Sequence, residues 1–438
     1  MANLWPIGPA GPPLYLGILN ATPDSFSDGG RFLTADAALV QARTLLEQGV
    51  RMLDLGGEST RPQAKAVTPG QEWARLEPVL ARLRAELPEV PISLDTRHPE
   101  VAAQGLRAGV AVLNDVTGFQ DPAMLELARQ SGCGLIAMRS RQDGHGLQMP
   151  PYDQPGATRA DAAIEELAVV KERLRAAGIP RERILLDPGF GFGMPFSEDN
   201  ALWEALPRLP QALDWPAEAF CIGVSRKRLL AVQAGTPQLL ADERDLLTAR
   251  AHHWATAHGY RVFRSHVGGQ PRLRPALAGD AEALAQVQMR SWRSAYREVL
   301  PAAVLDQLQA PPLARSFRAM AEAEPPGRLW VMDWGGKLCG YAATGPSVEP
   351  GPDPDAEVYA IYTLKESWGL GLGQTLLARA LADLREQGFH HAVLWVLERN
   401  ARARRFYEAG GWSPWGTPRT VWHGGIALRE LQYRIGLT

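Results

Sequence analysis

Cysteine is scarce in this chain: Cys133, Cys221 and Cys339 are the three among 438 residues. Three thiols cannot build a disulfide framework, and these show no metal-ligand spacing. Cys133 and Cys221 stand at or in apolar runs, so they read as small buried hydrophobes. Long apolar runs are missing too; none reaches the ~20 residues that a bilayer crossing needs. The opening MANLWPIGPAGPP lacks the basic-then-apolar layout of a secretory leader. A cytoplasmic address is the expectation. Neither sign of charge dominates, since 46 Lys and Arg face 48 Asp and Glu for a formal net charge of −2. No global field therefore draws in nucleic acid or an anionic membrane, and neither is expected as a partner. The length suits two or three domains.

What the chain does have is alternation. Short apolar runs at 14–19, 52–55, 92–94, 110–113, 134–138, 184–186, 220–224 and 260–263 read as strands. Amphipathic stretches such as 35–48, 99–108, 123–130 and 161–177 lie between them. A strand–helix cycle repeated eight times predicts a (β/α)8 TIM barrel. Most of these strands run into polar residues: Asn20, Asp54, Asp95, Asn114 with Asp115, Asp187, Ser225-Arg226-Lys227, and Arg264 with His266; the fifth ends at Met138. In a barrel these ends share one rim, where barrel enzymes keep their chemistry.

The residue types on that rim suggest a ligand. Arg61, Lys227, Arg264 and His266 are donors suited to phosphate oxygens. Asn20 offers a neutral oxygen to Mg²⁺ bridging to substrate phosphates. Asp95, Asn114 and Asp187 suit a flat heterocycle whose ring nitrogens must all be paired. Asp54 reads either as a catalytic carboxylate or as a partner for an arginine, Glu58 as structural, and Gly189, Gly191 and Gly193 as loop geometry.

The motifs GILNATPDSFSDGG, DLGGESTRP, ISLDT, LNDV, DPGFGFG, GVSRKR and ERDLLT before RVFRSH, in that order, make residues 1–270 similar to the dihydropteroate synthases. That family condenses hydroxymethyl-dihydropterin diphosphate with p-aminobenzoate, assisted by Mg²⁺. The resemblance implies pterin contacts from Asp95, Asn114, Met138, Asp187 and Lys227. It implies p-aminobenzoate contacts from Thr60, Pro62, Phe192 and Ser225, and diphosphate contacts from Arg61, Arg264 and His266. It places Asn20 at the metal, makes Lys227, Arg264, His266 and Arg61 the catalytic set, and implies a homodimer through the barrel. The Gly- and Ser-rich loops after the first two strands read as lids. Three departures border the rim. Arg139 stands where the family usually has His, Met194 where Lys is common, and Val267 where Asp is usual. Arg139 and Arg141 read as solvated loop charges.

Residues 271–438 form the second expected domain. An alternating strand at 356–362 leads into Trp368-Gly-Leu-Gly-Leu-Gly373 and a helical run, then a strand at 392–397 and the segment Asn400 to Trp412. A Gly-rich turn before a helix exposes backbone N–H groups to a diphosphate. Together these resemble the GNAT acetyltransferases, an α+β acyltransferase fold using acetyl-CoA and an amine acceptor, here of unknown identity. By that resemblance Leu370, Gly371, Leu372, Gly373, Gln374 and Asn400 bind acetyl-CoA, Tyr407 protonates the leaving thiolate, and Glu357 serves as base. Trp368 stands where the family has a basic residue or Gln, which removes one phosphate contact. Trp292 and Tyr296 read as packing more than as walls of the acceptor pocket. The leading reading is a bifunctional transferase. The alternatives are a pterin-binding, methyltransferase-like barrel and a non-catalytic acetyl-CoA-binding C-terminal module.

Overall fold

The computed structural model describes residues 5, 11–22, 34–59, 67–143, 146–147, 151–153, 155–156, 159–269, 271–297, 299–306, 308–323, 329–347, 356–423 and 425–437. They belong to two compact units, Met1–Gln270 and Pro271–Thr438.

The first unit is built on eight parallel strands. They are β1 Leu14–Asn20, β2 Met52–Gly56, β3 Ile92–Asp95, β4 Val112–Asp115, β5 Gly134–Met138, β6 Ile184–Asp187, β7 Cys221–Ile222 and β8 Val262–Ser265. Their order in the sheet is β6-β5-β4-β3-β2-β1-β8-β7. A parallel bridge from Leu186 to Phe220 joins β6 to the start of β7 and closes the barrel. β1 is buried along its length until Asn20, as a strand covered on both faces must be. Leu14, Leu16, Met52, Val112, Ile136, Leu185, Cys221 and Val262 fill the interior together with Trp5. Helices cover the outside. Pro69–Glu86 starts at a capping box between Thr68 and Gln71, and Pro122–Ser131 at Asp121, which accepts from Ala123 and Met124.

Register sets the rim. Asn20 lies level with Gly56, Gly56 with Asp95, Asp95 with Asn114, and Met138 with Asp187. Three strands differ from expectation. β8 spans Val262–Ser265 and not 260–263, because Tyr260 still closes the preceding helix, donating to the Ala255 carbonyl. β4 starts at Val112 because Val110 still closes the preceding helix, donating to the Gly105 carbonyl after Gly109 at φ 86°. β7 spans Cys221–Ile222 alone, and Arg226 turns left-handed at φ 60° shortly after it.

The second unit carries β9 Arg272–Pro275, β10 Leu329–Trp334, β11 Lys337–Pro346, β12 Ala356–Thr363, β13 His391–Leu397, β14 Ser413–His423 and β15 Ile426–Gly436. The order is β9-β10-β11-β12-β13-β15-β14, antiparallel except for β12 with β13. That parallel pair is joined at only two positions, Ala356 with Ala392 and Glu357 with Val393. Beyond them a cavity opens between the strands. Gly371, left-handed at φ 77°, starts the helix Leu372–Glu386 behind β12. Among the described residues no helix is long and apolar enough to cross a membrane.

Candidate active site

Asp54 anchors the barrel rim. It is 0% exposed. Arg264 donates from Nε to Asp54 Oδ2 at 2.6 Å and from Nη2 to Asp95 Oδ2 at 2.5 Å. Asn114 Nδ2 lies 3.2 and 3.3 Å from the two Asp54 oxygens. Of the two readings of Asp54, the arginine partner is the one the geometry shows. Glu58 pairs with Arg97 at 2.8 and 3.0 Å and accepts from the Val67 N–H, which is a structural role.

Asp95, Asn114, Met138, Asp187, Phe192, Lys227 and Arg264 line one narrow hollow. The Lys227 ammonium lies 4.1 Å from the Phe192 ring centre. The hollow offers about 30 Å³, less than a bicyclic ring occupies. Burial dominates the charges. It pushes Asp187 up to about 6, against the Gly189 N–H, Arg264 and Lys227. It pushes Asp95 up to about 7, with Arg264 opposing and Asp54 adding to the rise. Burial, and then the Arg264 charge, brings Lys227 down to about 8.

Around the hollow the remaining predicted residues divide. Ser225 Oγ lies 3.1 Å from the His266 backbone N and 3.2 Å from its Nδ1; the pair stands beside the hollow and does not line it. Asn20 ends β1 next to Asp95: a Cβ placed on Gly56 would meet Asn20 Oδ1 and Asp95 Oδ2 each at 3.6 Å. Thr60, Arg61, Pro62 and the segment 23–30, which the sequence suggests as a lid, lie outside the described residues. The SRK turn has anchors that sequence reasoning did not single out. Arg226 forms a fork with Asp245 at 2.7 and 3.0 Å, and Arg244 donates to the Arg226 carbonyl at 3.0 Å. The adjacent motifs GVSRKR and ERDLLT were the available signal.

In the second unit the cavity between β12 and β13 measures about 620 Å³. Gly371, Leu372, Gly373, Gln374, Asn400 and Tyr407 line it. Leu370 sits between two lining glycines without lining it, and Glu357 is buried just before the wall begins, 3.4 Å from Ser347 Oγ. Asn400 Oδ1 accepts from the Ala403 N–H and so caps the helix Ala401–Ala409 that carries Tyr407. Burial drives the Tyr407 hydroxyl well above its usual range, which keeps it protonated. Tyr296 both packs edge-on against Trp292 at 5.3 Å and lines the cavity.

The family described as pterin binding enzyme matches residues 16–266. The chain belongs to this family. The acetyltransferase (GNAT) family matches residues 285–412, so the second unit carries a GNAT domain. A dihydropteroate synthase of Neisseria meningitidis serogroup B is 40% identical over 58% of this chain and 87% of the relative. A sulfonamide complex of the Yersinia pestis dihydropteroate synthase superimposes with a TM-score of 0.52 at 31% identity, covering 59% of this chain and 90% of that one. The Xanthomonas albilineans enzyme with 7,8-dihydropteroate gives a TM-score of 0.50 at 31% identity, covering 60% and 90%.

Against the dihydropteroate synthase pattern, Arg139 is the departure with the largest structural consequence. It is not a solvated loop charge: it is 1% exposed. Its Nε donates to the Pro188 carbonyl at 2.9 Å and its Nη2 to the Gly189 and Phe192 carbonyls at 3.0 Å, while Nη1 pairs with Glu166 at 2.8 Å. Arg141 pairs with the same glutamate and with Glu198. The guanidinium thus serves as the hydrogen-bond partner of a tight turn. Gly189 shows how tight, since a Cβ there would stand 1.9 Å from the Arg139 carbonyl oxygen. Met194 and Val267 are both buried apolar side chains.

Proposed function

We propose that the barrel is a dihydropteroate synthase and that the GNAT unit is an acetyl-CoA-dependent N-acetyltransferase. The observation that carries the first part is the convergence of Asp95, Asn114, Met138, Asp187, Lys227 and Arg264 on one hollow at the strand ends. Asp95, Asn114 and Asp187 accept from and donate to the edge of the pterin, and Met138 packs against its face. Phe192 and Ser225, with Thr60 and Pro62, border the p-aminobenzoate. Arg264, His266 and Arg61 hold the diphosphate. The C–O bond breaks with its electron pair leaving on the diphosphate, and the aniline nitrogen then forms the C–N bond and loses a proton. This route needs neutralised charge and excluded water more than a strong base. The donor set fits Mg²⁺ sparsely: the Asn20 amide oxygen is the protein donor at that strand end, and among the described residues no cluster of three His, Cys, Asp or Glu exists to cage a metal. Such an ion takes most of its ligands from phosphate and water. When bound it offsets charge on the leaving diphosphate.

A ligand of the native state raises its melting temperature. Pterin diphosphate is therefore expected to raise the thermal stability of the native chain, and Lys227→Ala to abolish that shift. A pterin shift untouched by the substitution would remove Lys227 from the site.

In the second unit the backbone of Gly371–Gln374 at a helix N-terminus suits a diphosphate, and the wedge between β12 and β13 suits the pantetheine arm. Tyr407, protonated and lining the cavity, suits the leaving thiolate. Tyr407→Phe is expected to cut acetyl transfer to amines at least about tenfold while leaving acetyl-CoA affinity unchanged. An unchanged rate would take Tyr407 out of that role.

A further inference from the structure

Two arginines of the second unit have no counter-charge among the described residues. Arg402 and Arg405 lie one turn apart on the helix Ala401–Ala409, and both line the cavity between β12 and β13. Among the described residues neither forms an ion pair or a hydrogen bond, whereas Arg404 between them bonds Tyr433 Oη at 3.2 Å and the Glu398 carbonyl at 3.4 Å. No acidic side chain lines the cavity among the described residues. Arg402 is pinned in place. Its guanidinium carbon lies 3.4 Å from the ring centre of Trp368, and the Trp368 indole N–H is itself tied to the Thr363 carbonyl at 3.0 Å. Arg402 is thus held on an aromatic platform at the head of the Gly-rich turn, with the like charge of Arg405 one turn along the same helix. Such a pair attracts a doubly charged anion, and a stacked guanidinium leaves its in-plane N–H groups free to grip phosphate oxygens.

Position selects which phosphate. Of the residues that line the cavity, Arg402 and Arg405 are exposed and Tyr407 is buried. The Gly371–Gln374 backbone already faces the diphosphate in the reading above. The thioester and the ribose phosphomonoester of coenzyme A stand at opposite ends of that molecule. We propose that Arg402 and Arg405 bind the 3′-phosphomonoester of coenzyme A, so that the unit selects the phosphorylated carrier over its dephospho form. This rests on the acetyl-CoA reading of the cavity. Trp368, which removes a phosphate contact by its own chemistry, returns one by holding Arg402.

Isothermal titration of the full chain with coenzyme A and with dephospho-coenzyme A tests the proposal. The native chain is expected to bind coenzyme A at least about tenfold more tightly, as charge-assisted phosphate contacts require. The double variant Arg402→Gln with Arg405→Gln is expected to close that gap to within about twofold, with dephospho-coenzyme A affinity unchanged. Trp368→Leu is expected to lose part of it. Equal binding of both ligands by the native chain, or a preference that survives the double variant, overturns the proposal and leaves the acetyl-CoA reading standing. Failure of both ligands to bind removes that reading and the proposal together.

Discussion

Asp187 shows what a buried carboxylate costs the fold. Its side chain is 4% exposed, and burial raises its pKa from 3.8 to about 6. The native state therefore holds the proton more tightly than the unfolded chain. Between those two pH values the folded form binds more protons, so stability falls as pH rises through the window. Above about pH 6 the ionised, buried group destabilises the native state by ~3 kcal/mol. Asp187→Asn keeps an oxygen for the Gly189 N–H and removes the charge. At pH 7 it is expected to raise the melting temperature by several degrees, at about 2–4 °C per kcal/mol for a unit of this size. Near pH 2.5 the gain disappears, because the aspartate is then protonated in both states. Synthase activity at pH 7 is expected to fall more than about a hundredfold, because a neutral amide cannot reproduce a charged acceptor beside Lys227 and Arg264. Thermal melts at the two pH values with a parallel activity assay measure all of this, and the absence of any stabilisation at pH 7 would contradict the cost assigned to burial.

Among the elements, the turn from Pro188 to Gly193 depends most on partners distant in sequence. Arg139 reaches carbonyls 49 to 53 residues away, so no local pattern around it announces the contact. Arg139→Met leaves three buried carbonyls without that donor. It is expected to destabilise the barrel by about 3 kcal/mol or more. It should also raise KM for p-aminobenzoate more than it lowers kcat, since Phe192 travels with the turn. Melts and steady-state kinetics test both, and an unchanged KM would separate the turn from the p-aminobenzoate site. The strand ends, by contrast, were legible. Asp95, Asn114 and Asp187 follow apolar runs directly, and the parallel register carries them to one rim without further information. What sequence could not provide is the pairing of long side chains between loops. The Arg226–Asp245 fork is of that kind. The limits of β7 depend on a backbone reversal at Arg226 that a non-glycine residue does not advertise.

At the scale of the whole molecule, the near-neutral charge of the chain hides strong local fields. The barrel closes its sheet through a strand of two ladder residues and one bridge, and the site is drawn from β3, β4, β5, β6 and β8 together with the turns after β6 and β7. No single element carries the chemistry, so closure of the barrel assembles the site. The GNAT unit has its own sheet and its own cavity. The most direct test of the account is product formation by the purified full chain given hydroxymethyl-dihydropterin diphosphate, p-aminobenzoate and Mg²⁺. Dihydropteroate and diphosphate are expected in equal amounts, with both lost in Asp95→Ala and in Lys227→Ala. A chain that binds the pterin diphosphate yet yields no dihydropteroate under these conditions would contradict it.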